Sequence, residues 1–258
     1  MQIDLRHARI VVTNDDGIDA PGIKILEEAV NALCDDVWVV APESEQSAMA
    51  HALTIRRPLR AHTVSPRRIA VDGTPTDCAL LAIRHILQEK PPTLVVSGVN
   101  RGGNLAEDVT YSGTVAATME AALLGVPAIA FSQVYARTEE VKWETTAHHI
   151  QEVMTRIAGI GIEPGSYINV NFPNCQSDRV QGMQVVRQGK RTLNGLEILE
   201  GNDPRQRPFL WIGDYESDDA LEEGTDLAAI SQNHISITPL QTNFTDPQQL
   251  EHLKTAFE

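Results

Sequence analysis

The sequence predicts an α/β protein: a Rossmann-like, mostly parallel sheet with helices on both faces, plus a β-rich C-terminal extension. Three observations predict it. Continuously apolar runs of strand length recur through the first half, as in "RIVVTN", "DVWVVAP", "TLVVSGVN" and "VPAIAFSQ". Helical periodicity follows them, and that order gives a parallel sheet covered on both faces. From about Gln181 the texture changes to strand-like runs between loops rich in Asp, Gly and Pro.

The elements follow in order. "RIVVTN" is the first strand, and "GIKILEEAVNALC" is a helix with Ile23, Leu26, Val30 and Leu33 on one face. "DVWVVAP" is the second strand. "LRAHTVSPRRIAVDG", residues 59–73, reads as an inserted hairpin. "PTDCALLAIRHIL" is a helix with Thr74 or Thr76 as its cap. "TLVVSGVN" is a third strand, "SGTVAATMEAALLG" a helix that Gly125 ends, and "VPAIAFSQ" a fourth strand. A long helix, "EEVKWETTAHHIQEVMTRIAG", leads to the strand "SYINVNFP". Beyond it, "GMQVVRQGKRT", "PFLWIGDY" and "HISITPL" are strand-like, and "DPQQLEHLKTAF" is a helix with a stripe of Leu250, Leu253 and Phe257. Two units are expected: residues 1–180 as the α/β core carrying the site, and residues 181–258 as an extension used in oligomerisation.

Composition narrows the function. A net charge of −14 argues against general binding to nucleic-acid polymers, which needs surplus Lys and Arg. It leaves room for a small anionic substrate, because a metal or a helix N-terminus reverses the local sign. Cys34, Cys78 and Cys175 have neither metal-finger spacing nor a disulfide pattern, so buried thiols in a reducing compartment are expected. "MQIDLRHARIVV" lacks the basic start and apolar run of a secretory signal, and no apolar run approaches the roughly 20 residues needed to span a bilayer. A cytoplasmic location and no membrane partner are the expectation.

The polar residues collect where such a sheet binds ligands, at the carboxyl ends of its strands. Asn14, Asp15 and Asp16 end the first strand. "APESEQS" after the second delivers Ser47, and "SGVNRGGN" at the third delivers Ser97, Asn100 and Asn104. Two carboxylates, a hydroxyl and an amide form an all-oxygen donor set that suits Mg²⁺ or Mn²⁺ better than zinc or copper. A cation also explains why adjacent Asp15 and Asp16, which repel, are kept together. Taken singly, "NDDG" is a turn and Ser47 a loop serine; the pattern lies in all of them falling at strand ends. Further on, Ser112, Gly113 and Thr114 open a helix of small residues. There, backbone amides and hydroxyls either cap the helix or cradle a phosphate. "GVNRGGN" matches neither a dinucleotide loop nor a Walker A loop. A metal beside a phosphate cradle points to phosphoryl chemistry. His51, His148 and His149, and the basic runs Arg56–Pro58 and Gly189–Arg191, fit packing or solvated roles better than catalysis.

"VTNDDGIDAPGI", "VVAPESEQSA", "GTPTDCALLAI", "VSGVNRGGNLAEDVTYSGTVAATMEAALLGVPAIAFS" and "ISITPL", in this order from about Arg9 to Leu240, resemble the SurE family of 5′-nucleotidases, the stationary-phase survival proteins. The resemblance implies that Asp15, Asp16, Ser47 and Asn100 bind one divalent cation per subunit. It also implies that Asn104 and Ser112–Thr114 handle phosphate. Asn14 is expected beside them, and either Asp15 or Asp16, where not fully engaged by the metal, is the catalytic candidate that orients the attacking water or accepts its proton. It implies hydrolysis of nucleoside 5′- or 3′-monophosphates, in some members short polyphosphate, and homodimers or homotetramers that exchange C-terminal segments. Ala50 and His51 lie in a variable stretch. Arg101 stands where a small residue is common, which bears on substrate preference rather than on the metal site. Two rivals differ in class. A haloacid-dehalogenase-type phosphatase uses two aspartates separated by one residue, which adjacent Asp15 and Asp16 fit poorly. A non-catalytic nucleotide sensor would bind metal and nucleotide without releasing phosphate.

Overall fold

The computed structural model describes residues 2–136, 138–191, 198–213 and 221–257. Eleven strands and six α-helices appear among them. The first strands are β1 (Arg9–Thr13), β2 (Asp36–Pro42), β3 (Ala61–Ser65), β4 (Arg68–Val71), β5 (Leu94–Arg101), β6 (Ala128–Gln133) and β7 (Ser166–Phe172). Then come β8 (Met183–Val185), β9 (Ile198–Asn202), β10 (Pro208–Ile212) and β11 (Ile235–Gln241). The helices are α1 (Pro21–Asn31), α2 (Pro75–Leu81), α3 (Gly113–Leu123), α4 (Trp143–Ile160), α5 (Asp226–Ser231) and α6 (Pro247–Phe257).

Nine strands form one sheet in the order β3-β4-β2-β1-β5-β6-β7-β11-β8. The run from β4 to β7 is parallel, while β3 and β11 are antiparallel to their neighbours β4 and β7. The inserted hairpin is β3–β4, at one edge. Residues 181–258 supply β8 and β11 to the same sheet and also the separate ribbon β9–β10. Thr192 and Asp214–Tyr215, which close two of the strand-like runs, lie outside the described residues.

Burial on both faces is why the central strands read as unbroken apolar runs. Alternate side chains of β1 face opposite ways. Ile10 and Val12 pack with Ile23, Leu26 and Val30 of α1 and Ile150, Val153 and Met154 of α4. Val11 packs with Cys78 of α2 and Val115 and Ala121 of α3. The small residues of α3 let it lie close to α2, β5 and β6, with nine of its eleven residues buried. Thr74 caps α2 in a reciprocal pair with Asp77.

Two expectations shift. The long helix starts at Trp143 rather than Glu139, because Lys142 reaches Glu139 (2.8 Å) and the Asn174 side chain (3.1 Å), pulling "EEVK" onto the exit of β7. Strand β9 was not visible in the sequence, since its exposed, acidic "ILEGN" becomes a strand only through pairing with β10.

Gly22 ties α1 to β5, since a Cβ there would lie 1.9 Å from the Val99 carbonyl oxygen. Gly22→Ala should therefore cost about 1–3 kcal/mol through overpacking. Gly159, in α4 with nothing within 4 Å of a built Cβ, should gain about 0.4–1 kcal/mol on Gly159→Ala. Paired urea melts check both signs.

Candidate active site

The chain leaves β1 for β2 on one side and later returns to place β5 on the other, so β1 and β5 flank the switch point where open sheets bind ligands. Thr13 pairs in register with Ser97. Asn14, Asp15 and Asp16 therefore leave β1 alongside the end of β5. The loop after β2 joins them, where the Gln46 amide donates to the Asp15 carbonyl at 2.7 Å.

Each carboxylate faces a different neighbour. Asp15 is 4% exposed, and its Oδ1 accepts a hydrogen bond from the Thr114 hydroxyl. The start of α3 comes so close that a Cβ on Gly113 would lie 2.8 Å from Asp15 Cβ and 3.0 Å from its Oδ2. Ser112 caps that helix, its Oγ accepting from the Val115 amide at 3.1 Å. Asp16 Oδ2 accepts from the Arg101 amide at 3.1 Å. Asn100, one residue earlier, donates its Nδ2 to the Gly102 carbonyl at 2.9 Å, which leaves its Oδ1 as an acceptor.

Burial pushes the Asp15 carboxyl up to about 6, the Thr114 hydrogen bond opposes the shift, and the charge of Asp16 adds to it. Asp16 is also raised by burial, against the pull of the Arg101 amide. Among the described residues neither forms a salt bridge. Nearby, Thr13 Oγ1, Asn14 Oδ1 and Ser97 Oγ are buried with no hydrogen-bond partner. A site with two uncompensated carboxylates and spare oxygen acceptors fits a hard divalent cation. No three His, Cys, Asp or Glu side chains among the described residues are grouped so that they could hold a metal ion between them, so such a cation draws on neutral oxygens as well.

The other expected residues are placed as follows. Ser47 is exposed next to Gln46, and its hydroxyl donates to Glu45 at 2.8 Å. Asn14 donates its Nδ2 to the Gly17 carbonyl at 2.8 Å. Asn104 sits in a buried knot: its Nδ2 donates to Ser132 Oγ at 2.8 Å, and its carbonyl accepts from Asn169 (2.7 Å) and Asn171 (3.1 Å). The alternating Asn169 and Asn171 in the apolar "INVNF" are the sequence signal of that knot. His51 pairs with the buried Glu120 at 2.9 Å. His149 meets the Ser177 carbonyl. Arg57 binds Asp72, and Arg191 binds Asp108. All three cysteines are buried and free.

Comparison with known proteins gives the family. The model of the family described as survival protein SurE matches residues 10–195. The chain belongs to the SurE family. Among SurE relatives, the 5′-nucleotidase SurE of Paramagnetospirillum magneticum is 52% identical over 249 residues, covering 96% of this chain and 95% of the relative. That of Rhodospirillum rubrum is 49% identical over 257 residues, covering 98% of each. The SurE crystal structure from Aquifex aeolicus superposes with a TM-score of 0.83 at 39% identity, covering 96% of this chain and 99% of that one.

The raised Asp15 pKa has a measurable consequence. Between 3.8 and about 6 the folded chain holds a proton that the unfolded chain has lost. Stability from this group is therefore present below that window and falls as pH rises through it. Without metal, Asp15→Asn should be the more stable protein at pH 7, by on the order of 2–3 kcal/mol. The difference should vanish near pH 4, as read from parent and variant thermal melts in EDTA.

Proposed function

We propose that this SurE protein is a metal-dependent phosphatase, a 5′-nucleotidase that hydrolyses nucleoside monophosphates at one Mg²⁺ or Mn²⁺ held by Asp15, Asp16, Ser47 and Asn100. One observation carries the reading: at the sheet's switch point the buried Asp15 meets the start of α3 and the half-buried Asp16 meets the end of β5, with no salt bridge to either among the described residues. When bound, the cation supplies Lewis-acid polarisation of the phosphoryl group and offsets the charge of the two aspartates.

The chain's own residues do the rest. Ser112, Gly113 and Thr114 receive the phosphate at the positive end of α3, where hydrogen-bond donors stabilise charge on the equatorial oxygens. The absence of a side chain at Gly113 keeps that approach open. Asp15 and Asp16 orient the attacking water, whose oxygen forms the new bond to phosphorus as the ester P–O bond breaks. The nucleoside leaves as its alcohol, taking up a proton, and inorganic phosphate remains. Asn14 and Asn104 support this from behind, Asn14 by shaping the Asp15–Gly17 turn and Asn104 by fixing the loop after β5. Both rivals fall to experiment: a sensor releases no phosphate, and a dehalogenase-type enzyme traps a phosphorylated aspartate.

Residues 1–180 carry this site, and residues 181–258 join subunits into a homodimer or homotetramer. Leu250, Leu253 and Phe257 of α6 are exposed, as are Phe209, Leu210, Trp211 and Ile212 of the ribbon. No helix of the described residues is long and apolar enough to cross a membrane. The buried free thiols suit the cytoplasm.

Phosphate release from 5′-AMP or 5′-GMP should stop after chelation and return with Mn²⁺ or Mg²⁺. Asp16→Asn should weaken Mn²⁺ binding and lower turnover by about 10²–10³-fold, because it removes a charged ligand. Full activity in excess EDTA defeats the metal assignment. Removing the residues after Thr245 should lower the assembly mass in light scattering while the core melts within a few degrees of the parent. An unchanged mass counts against the oligomer reading.

A further inference from the structure

A cleft of about 550 Å³ opens on the Asp16 side of the site, lined by Asp16, Glu45, Arg101, Glu140 and Trp143. Its volume falls in the range of small-molecule sites, about 300–1,000 Å³. Another cavity, about 980 Å³, is lined by none of the proposed metal or phosphate ligands, whereas Asp16 lines the smaller one. Asp15 faces the phosphate end at α3, and Asp16 faces this cleft.

The lining has a definite chemistry. Trp143 is half-buried at the start of α4, with its ring packed against the core. The Arg101 guanidinium lies 5.3 Å from the centroid of the Tyr135 ring, a contact that holds the cation in place. The backbone amide of Arg101 is bonded to Asp16, so this side chain starts one residue from the proposed metal ligand Asn100. Lys142 pins the adjoining wall to Asn174. Three lining carboxylates stand against one guanidinium. Such a cleft repels a second phosphate and admits an uncharged sugar and base, whose hydroxyl and amino groups donate to carboxylates.

We propose that this cleft is the nucleoside subsite, in which the base stacks on Trp143 and receives hydrogen bonds from Arg101. It rests on the phosphatase reading above. A guanine base presents O6 and N7 acceptors that match a guanidinium, which makes 5′-GMP the probe.

The test compares kcat/KM for 5′-GMP with that for β-glycerophosphate, a monoester without a base, using the full chain with Mn²⁺. Arg101→Ser and Trp143→Leu should each lower the ratio about tenfold, through KM for 5′-GMP, as loss of a base contact does. Trp143→Phe should restore most of it. In metal-free protein, guanosine should quench tryptophan fluorescence of the parent and not of Trp143→Leu. A ratio within twofold of the parent in Arg101→Ser, whose side chain is exposed and outside the core, overturns the subsite. So does guanosine quenching that survives in Trp143→Leu. A parent that hydrolyses neither ester overturns the phosphatase reading instead, and the quenching experiment still decides the cleft.

Discussion

Two adjacent carboxylates drawn out of water form the constraint on which the rest of the structure depends. Burial raises the carboxyls of both Asp15 and Asp16, and the charge of Asp16 adds to the cost at Asp15. The fold supplies hydrogen-bond donors to each, a hydroxyl from α3 and an amide from β5, but no salt bridge among the described residues. The resulting charge is left for a cation.

Several features elsewhere serve that arrangement. The switch in strand order sets β1 between β2 and β5, so three chain exits meet there. Gly22 lets α1 press against the end of β5, and Gly113 lets α3 reach Asp15; a side chain at either would collide. Asn104, Asn169 and Asn171 form a buried knot that fixes the loop running from β5 toward α3. Their hydrogen bonds offset much of the cost of burying these polar groups, although Asn169 Oδ1 has no partner.

The two carboxylates also divide the site. Asp15 looks toward the positive end of α3, and Asp16 toward a cleft with an aromatic ring, a guanidinium and further carboxylates. An ester with an anionic end and an uncharged, planar end matches that polarity. Arg101 lines the cleft on the Asp16 side.

The sequence by itself determined the α/β class, the order of the central strands along the chain, and the residue types of the site. Continuous apolar runs record burial on both sheet faces, and polar residues at their ends record where the sheet stops. It also held enough pattern to place Asp15, Asp16, Ser47, Asn100 and Ser112–Thr114 at chain exits. Only the tertiary structure decided what each touches. Thr114 finds Asp15 across 99 residues of chain and Arg101 finds Asp16 across 85, contacts that no local periodicity encodes. Likewise it is the sheet order that brings the amide nitrogen of Asn104, to which the resemblance gives a phosphate role, against Ser132. Strand β9 exists only through its partner β10. Local pattern fixes which face is apolar, whereas the partner of a polar group depends on which distant segments the sheet order brings together.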